Sequence, residues 1–152
     1  MTRRPASDLL RLPVRVRGIQ LGRPVDLLLH PTKPQALGVD VLCGDDRHRF
    51  LPLSAATVGP EELEASSPLV LLDLRDDSFY RVEARPLSRL RGQPVGGAGH
   101  LRDVVLGHDW WIEELVVAGD DGPRQVPLDG IVLPDGRERR RRALRLPRRR
   151  RS

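Results

Sequence analysis

The sequence predicts an all-β protein in which two small β-barrels follow each other along the chain. Short apolar runs recur about every 8–12 residues and are separated by glycine, proline and aspartate, a pattern typical of a β-barrel or sandwich. Almost no stretch has helical periodicity. In addition, residues 22–53 are similar to residues 99–128, and such self-similarity indicates a duplicated structural unit.

The two copies align at both ends. The front of the alignment pairs Gly22-x-x-x-Asp26-Leu27-Leu28-Leu29 with Gly99-x-x-x-Asp103-Val104-Val105-Leu106, and its rear pairs Leu51-Pro52-Leu53 with Val126-Pro127-Leu128. Between them lie two acidic turns, Gly44-Asp45-Asp46 and Gly119-Asp120-Asp121. The offset is 77 residues from Gly22 to Gly99 and 75 from Leu51 to Val126, so a gap of only two residues separates the copies.

The predicted first unit covers residues 10–75, after a flexible and frayed segment, residues 1–9, that shows no periodicity. Asp26–Leu29 contains an apolar run that is too short for a helix, and it is predicted to be a strand buried on both faces. Further strands are predicted at residues 14–17, 37–43, 49–53 and 69–74. Pro60–Ala65, with an early proline and carboxylates near its start, is predicted to form one or two helical turns.

A linker is predicted at residues 76–86, and the second unit covers residues 87–136. Gly96–Gly99 is predicted to form a flexible hairpin. Strands are predicted at residues 101–106, 111–118, 124–128 and 131–133. Asp121-Gly122 predicts a type I′ hairpin, because both central positions of that turn need positive φ.

Composition favours a soluble cytoplasmic protein. Hydrophobic residues make up 39% of the 152 residues, enough for two modest cores that stabilise each other. Cys43 is the only cysteine, which rules out an internal disulfide and favours a reducing compartment. Its alternation with Val39 and Val41 predicts a buried thiol. Neither a signal peptide nor an apolar stretch of about 18 residues is present.

Charge is distributed unevenly. Residues 1–136 hold 16 basic and 20 acidic groups, whereas residues 137–152 hold ten arginines against Glu138. This tail is predicted to be disordered, with RNA, ribosome or anionic-membrane contacts through its guanidinium groups. The candidate contact residues are Arg139, Arg140, Arg141, Arg142, Arg145, Arg148, Arg149, Arg150 and Arg151. The alternative is compositional drift in a GC-rich genome, since Lys33 is the only lysine beside 25 arginines.

The second unit carries the motifs Leu90-x-Gly92-x-Pro94-Val95, Gly99-x-x-Arg102-Asp103-Val104-Val105-Leu106, Trp111-x-x-x-Leu115-Val116-Val117 and Arg124-x-Val126-Pro127-Leu128. In this order they resemble the PRC-barrel, a family named after the reaction-centre H subunit that also forms the C-terminal domain of the ribosome maturation factor RimM. The first unit is similar from Gly22 to Ala55 but lacks the opening motif. The resemblance covers most of residues 12–134. It implies a module that contacts proteins or ribosomes and has no active site.

Residue patterns for catalysis, cofactors and metals are absent from the sequence, so neither an enzyme nor a small-molecule substrate is expected. The four histidines are predicted to be solvated turn residues: His30, His48, His100 and His108. Aspartates at the acidic turns are expected to cap their own backbone. The glycines of residues 96–99 precede neither a Lys-Ser/Thr pair nor a predicted helix, which argues against a nucleotide loop.

Trp110 and Trp111 are the candidate interface residues. On one strand their side chains would point to opposite faces, so only one of them can fill a barrel interior. The other either packs against the partner unit or the linker, or stands exposed as a binding anchor. The sequence therefore predicts a non-enzymatic adaptor that binds an unidentified protein. An RNA- or ribosome-associated factor is the alternative.

Overall fold

The computed structural model describes residues 3–129 and 131–134, and it confirms the all-β fold class with two curled sheets. The predicted tail, residues 137–152, and with it all nine candidate arginines, lies outside the described residues. The sheet strands of the first half are β2 (Val14–Val16), β3 (Ile19–Leu29), β4 (Ala36–Cys43), β5 (His48–Pro52), β6 (Ala56–Val58), β7 (Leu63–Ala65) and β8 (Leu72–Asp73). Those of the second half are β10 (His100–Leu106), β11 (Ile112–Gly119) and β12 (Gly122–Pro127).

Two short strands, β1 (Arg4–Pro5) and β9 (Arg85–Pro86), each lead into a single helical turn, α1 (Ala6–Leu9) and α3 (Leu87–Leu90). A further helical turn, α2 (Phe79–Val82), lies in the predicted linker. The strand order is β6-β7-β2-β3-β4-β5-β8 in one sheet, with β9 beside β3, and β1-β10-β11-β12 in the other. All neighbours are antiparallel except β2 and β7.

The two meanders β3-β4-β5 and β10-β11-β12 have the same register. A bulge interrupts β3 between Pro24 and Asp26, and another interrupts β10 between Leu101 and Asp103, at the aligned positions. A second bulge lies in each partner strand near the end of the pairing, at Leu37 of β4 and at Glu113 of β11. Bulges bend a strand and increase its twist, so the two sheets curl in the same places. This correspondence is what a duplicated unit would produce.

Each sheet pairs with a short strand that precedes the other sheet along the chain. Arg4-Pro5-x-Ser7-x-Leu9 and Arg85-Pro86-x-Ser88-x-Leu90 share one sequence pattern. β1 pairs with β10 of the second half, whereas β9, which opens the second half, pairs with β3 of the first. The two segments are therefore exchanged between the halves.

Aligned aspartates hold both exchanged segments. Asp26 accepts hydrogen bonds from the Ser88 backbone N–H (3.1 Å) and hydroxyl (2.5 Å), and Asp103 accepts one from the Ser7 N–H (3.2 Å). Each carboxylate also accepts the N–H of the next residue in its own strand at 2.9 Å. In each sheet, the aspartate that directly follows the bulge thus fixes the helical turn contributed by the other half.

Residues 3–9 are ordered, contrary to the prediction that residues 1–9 are frayed. Ala6 and Leu9 are fully buried. A single helical turn is too short to show periodicity, and its burial comes from contacts with the distant second half, which local sequence does not reveal. Arg85–Pro86 and α2 likewise show that the predicted linker, residues 76–86, contains paired and helical segments.

Four element predictions were wrong in detail. The segment predicted as a helix at Pro60–Ala65 ends in strand β7, because Val14 and Val58 both offer backbone partners to Leu63. Residues 69–74 contain only the two-residue β8, preceded by a 3-10 turn at Pro68–Val70. Residues 131–133 form no strand. In the second acidic turn only Gly122 has positive φ (94°), so the turn is not type I′.

A single hydrophobic cluster crosses both halves. It joins Leu27 and Val39 of one sheet to Val104 and Leu115 of the other, all fully buried. Cys43 belongs to this cluster and is buried, as predicted. A smaller cluster on the outer face of the first sheet contains Leu28, Phe50, Leu74 and Ala84. The main core is therefore shared by the two halves.

Replacing Asp26 by alanine is expected to lower the free energy of unfolding by about 2 kcal/mol, because the N–H groups of Leu27 and Ser88 lose their acceptor. Asp26→Asn keeps an acceptor oxygen and serves as the matched control. Burial raises the pKa of Asp26 above its ordinary 3.8, against the lowering effect of the Ser88 bonds.

The raised pKa determines the direction in which the stability of the wild-type protein changes with pH. The folded state favours the neutral carboxyl, so ionisation costs stability as the pH rises from 3.8 through the raised pKa. Wild-type stability relative to Asp26→Asn should fall across that interval and then level off. Urea unfolding of both proteins from pH 3.5 to 7 measures the difference; a difference independent of pH would contradict the assignment.

Candidate interaction surface at the loop junction

The loops that join β3 to β4 and β10 to β11 meet at the junction of the two halves. Gln35 and Trp111 form an isolated antiparallel bridge. The Ile112 N–H donates to the Pro34 carbonyl at 2.8 Å, and the Gln35 side-chain amide donates to the Asp109 carbonyl at 3.0 Å. Ala36 and Ile112 pair with the aligned residues Leu29 and Leu106, so Gln35 and Trp111 occupy equivalent positions. Contact between equivalent residues is typical of an interface around a two-fold axis.

Trp111 is the exposed tryptophan. Its relative exposure is 39%, whereas Trp110 is half-buried and packs against the shared core. The two residues do not lie on one strand, contrary to the prediction. Trp110 ends a 3-10 turn (His108–Trp110) and Trp111 precedes β11. One side chain still points inward and the other outward, but a turn rather than strand alternation separates them.

The backbone of this turn is strained. Asp109 and Trp110 have φ values of 52° and 65°. Left-handed backbone costs a residue other than glycine about 1–2 kcal/mol, and such strain is concentrated at functional sites. The surrounding hydrogen bonds hold the conformation: Gly107 donates to the Trp111 carbonyl (2.8 Å), and Trp111 donates to the His108 carbonyl (3.1 Å). Trp111 is thus presented by a fixed backbone.

The facing loop is fixed by the buried guanidinium of Arg85 in the exchanged strand β9. It donates to the carbonyls of His30 (2.8 Å) and Lys33 (2.8 Å). The His30 ring accepts the N–H groups of Thr32 (3.1 Å) and Lys33 (3.0 Å) through Nδ1. Burial lowers the pKa of His30, and the positive charges of Lys33 and Arg85 add to the effect. A neutral ring with a free Nδ1 lone pair is the form that these two bonds require.

Two of the other histidines, His48 and His100, are separate from this junction, whereas His108 lies in its β10–β11 loop. His48 lies on β5 and binds Asp40, which is 5% exposed, at 2.7 Å; Arg81 lies 3.6 Å from the same carboxylate. His100 lies on β10, so neither residue is in a turn as predicted. His108 is exposed beside Asp109. Among residues 3–129 and 131–134, no group of three or more His, Cys, Asp or Glu side chains is placed to hold a metal ion.

The first acidic turn behaves as predicted. Asp45 accepts the backbone N–H of Arg47 at 3.2 Å, which caps the turn. It also binds the Arg49 guanidinium at 2.7 Å and 3.0 Å. These Arg49 hydrogen bonds are the main reason that the pKa of Asp45 falls to about 2. The carboxylate is therefore structural.

Sequence reasoning named Trp110 and Trp111 without deciding which of them faces outward, and it named neither Gln35 nor Arg85. The repeated pattern Arg-Pro-x-Ser-x-Leu at residues 4–9 and 85–90 was the available signal for the exchanged segments, and hence for Arg85. Gln35 follows two prolines in a loop, and nothing in its local sequence indicates that it meets Trp111.

Comparison with known proteins does not assign a function. No family model matches the chain, and no curated protein matches its sequence significantly. Within the described residues, no helix is both long and apolar enough to cross a membrane.

Proposed function

We propose that this protein is a non-enzymatic interaction module that binds another protein through the loop junction, with Trp111 as the anchor. The observation that supports this most directly is an exposed tryptophan that directly follows two residues held in an unfavourable backbone conformation, Asp109 and Trp110. Tryptophan is enriched among residues that dominate binding energy. A fixed backbone lowers the ordering cost that binding would otherwise carry.

The chemistry of the junction favours a partner with an apolar pocket surrounded by polar groups. Trp111 supplies the large apolar surface. Around it, exposed His108 and Asp109 offer polar contacts. Such an arrangement, an aromatic centre with a polar rim, is the usual composition of a non-obligate protein interface. The cytoplasm is the proposed location.

Trp111→Ser is expected to weaken partner binding by about 30-fold, the effect of truncating a dominant interface residue. Crosslinking and pulldown from cells, followed by affinity measurement with the recovered partner, provides the test. Phe79→Ser is the matched control, because Phe79 is also aromatic and is 54% exposed. Equal recovery of the same partner by both variants would refute the role of Trp111. Recovery of no partner by the folded wild-type protein would refute the proposed function.

The proposal includes membership of the PRC-barrel family. Its support is the motif order quoted above, together with the two curled meanders that share bulge positions. The resemblance implies contact with proteins or ribosomes, which agrees with an adaptor role.

A second candidate, an RNA- or ribosome-associated factor, is favoured by the ten arginines of residues 137–152. Guanidinium groups that neutralise phosphates release counterions, so binding should weaken steeply as salt increases. Co-sedimentation with ribosomes at about 50 and 200 mM salt, with the full chain and a chain ending at Gly136, tests this. We expect the tail-dependent fraction to disappear at the higher salt. Equal sedimentation of both chains at each salt concentration would contradict a role for the tail.

A further inference from the structure

The outer edges of β5 and β12 differ although these strands occupy aligned positions. In the first half, β8 lies antiparallel to the outer edge of β5, with Arg49 opposite Asp73 and Phe50 opposite Leu72. In the second half, β12 is the last strand of its sheet among the described residues. Arg124 and Gln125, aligned with Arg49 and Phe50, are exposed.

The backbone groups that β8 uses on β5 can be identified. The Leu74 N–H donates to the His48 carbonyl at 3.2 Å. Because hydrogen-bonded pairs alternate along an antiparallel ladder, Phe50 and Leu72 form the next such pair and exchange two bonds. β8 therefore binds the carbonyl of His48 and both the N–H and the carbonyl of Phe50.

The same groups are available on β12. The Leu128 N–H donates to the Glu113 carbonyl (3.2 Å), which fixes the alternation along β11 and β12. It follows that the backbone groups of Pro123, Gln125 and Pro127 point away from β11. Pro123 and Pro127 have no N–H, so Gln125 supplies the single outward donor of this strand. The carbonyl of Pro123 and both groups of Gln125 match the set that β8 uses.

We propose that the outer edge of β12 binds a short extended segment of a partner protein by strand addition, with a carboxylate of that segment opposite Arg124. Strand addition provides affinity through main-chain hydrogen bonds. Because Pro123 and Pro127 have no N–H to donate, the added strand can pair over no more residues than β8 pairs with on β5. The carboxylate follows from the charge of Arg124, whose exposed guanidinium donates to the Ala98 carbonyl at 3.2 Å and has no carboxylate partner among the described residues. The aligned Arg49 binds the carboxylate of Asp45, and its register partner in β8, Asp73, is also acidic, although Asp73 itself binds Arg75. Opposite charges at facing positions stabilise an antiparallel pair.

A second copy of this chain fits the edge poorly. If Gln125 pairs with Gln125 of the second copy, the carbonyl of Pro123 faces Pro127, which has no N–H to donate. If Pro123 pairs with Gln125, the two Arg124 side chains lie directly opposite each other, and like charges destabilise such a pair. Both registers are unfavourable.

The chain's own tail is also a poor match in charge. Its one short apolar segment, Leu144-Arg145-Leu146, has the pattern of Leu72-Asp73-Leu74 but carries arginine where β8 carries aspartate. Docked in the same register, it would place Arg145 opposite Arg124. An acidic segment from another protein satisfies both the hydrogen bonds and the charge.

The test is a titration of the full-length, ¹⁵N-labelled protein with a capped peptide of residues 69–76 of this chain, Leu-Val-Leu-Leu-Asp-Leu-Arg-Asp, as the probe. We expect saturable shifts of the Gln125 amide and slower exchange of its hydrogen. Gln125→Pro should weaken binding about tenfold, because it removes the one outward donor. Gln125→Ala keeps that donor and should bind as wild type. A peptide with arginine at the aspartate position should bind more weakly to wild type, and Arg124→Glu should reverse this preference.

Two outcomes would overturn the proposal: shifts confined to β5 and β8, or equal binding by Gln125→Pro and Gln125→Ala. Stronger binding by a full-length Leu144→Ser, Leu146→Ser variant would also overturn it, since the tail would then occupy the edge. Arg124 lies opposite Val117, six residues or about 20 Å along the sheet from Trp111. Trp111→Ser should leave the titration unchanged, so this test and the test of Trp111 can fail independently.

Discussion

Replacing Leu9 by alanine is expected to lower the free energy of unfolding by about 3 kcal/mol. Leu9 is fully buried in the shared core, and α1, which carries it, is fixed by the hydrogen bond from Ser7 to Asp103. Removing its side chain leaves a cavity that surrounding groups from two halves of the chain cannot readily fill. Because those groups belong to one core, we expect both halves to unfold in a single transition at a lower urea concentration.

Urea unfolding followed by tryptophan fluorescence and circular dichroism measures this effect. Leu69→Ala is the matched control, since Leu69 is 89% exposed and its truncation should change stability by less than about 0.5 kcal/mol. A Leu9→Ala protein as stable as the control would show that the N-terminal turn does not belong to the core. Separate transitions for the two spectroscopic signals would contradict a shared core.

Replacing Phe50 by alanine is expected to cost about 4 kcal/mol. Its ring is 1% exposed and stacks on Tyr80, with ring centres 3.7 Å apart and planes inclined by 11°. It also covers Gly38, where an added Cβ would lie 2.5 Å from the ring. Loss of this ring removes the main apolar support of α2, so residues 75–84 should become sensitive to protease.

Limited proteolysis together with urea unfolding tests this prediction. Phe79→Ala is the control. Phe79 precedes Tyr80 in the chain and contacts its ring edge-on, but it is 54% exposed. We expect this control to lose less than about 1 kcal/mol and to resist cleavage. Equal protease sensitivity of the two variants would indicate that α2 is held by something other than the Phe50 ring.

The sequence was sufficient where structure depends on local patterns. Leu27, Leu28 and Leu29 are buried on both faces of a strand, as their unbroken apolar run predicted, and the alternation around Cys43 correctly indicated a buried thiol. The acidic turn at Asp45 followed from the tendency of aspartate to cap its own backbone. The all-β class followed from the spacing of such runs.

The sequence was insufficient where the structure depends on residues that are distant along the chain. β7 forms because β2 and β6 lie on either side of it, although Pro60–Ala65 has the composition of a helix start. Strands of two residues, such as β1 and β9, are too short for any periodicity. The exposure of Trp111 depends on positive φ at Asp109 and Trp110, which residue types do not predict.

The exchange of β1 and β9 between the halves places Arg85 of β9 against the loop that faces Trp111, and NOE measurements on the labelled protein test the exchange most directly. The exchanged arrangement predicts contacts between Pro5 and Val105 and between Pro86 and Leu28, which are Cα partners in the two ladders. Contacts between Pro5 and Leu28, together with contacts between Pro86 and Val105, would contradict it, because each segment would then lie on the sheet of its own half.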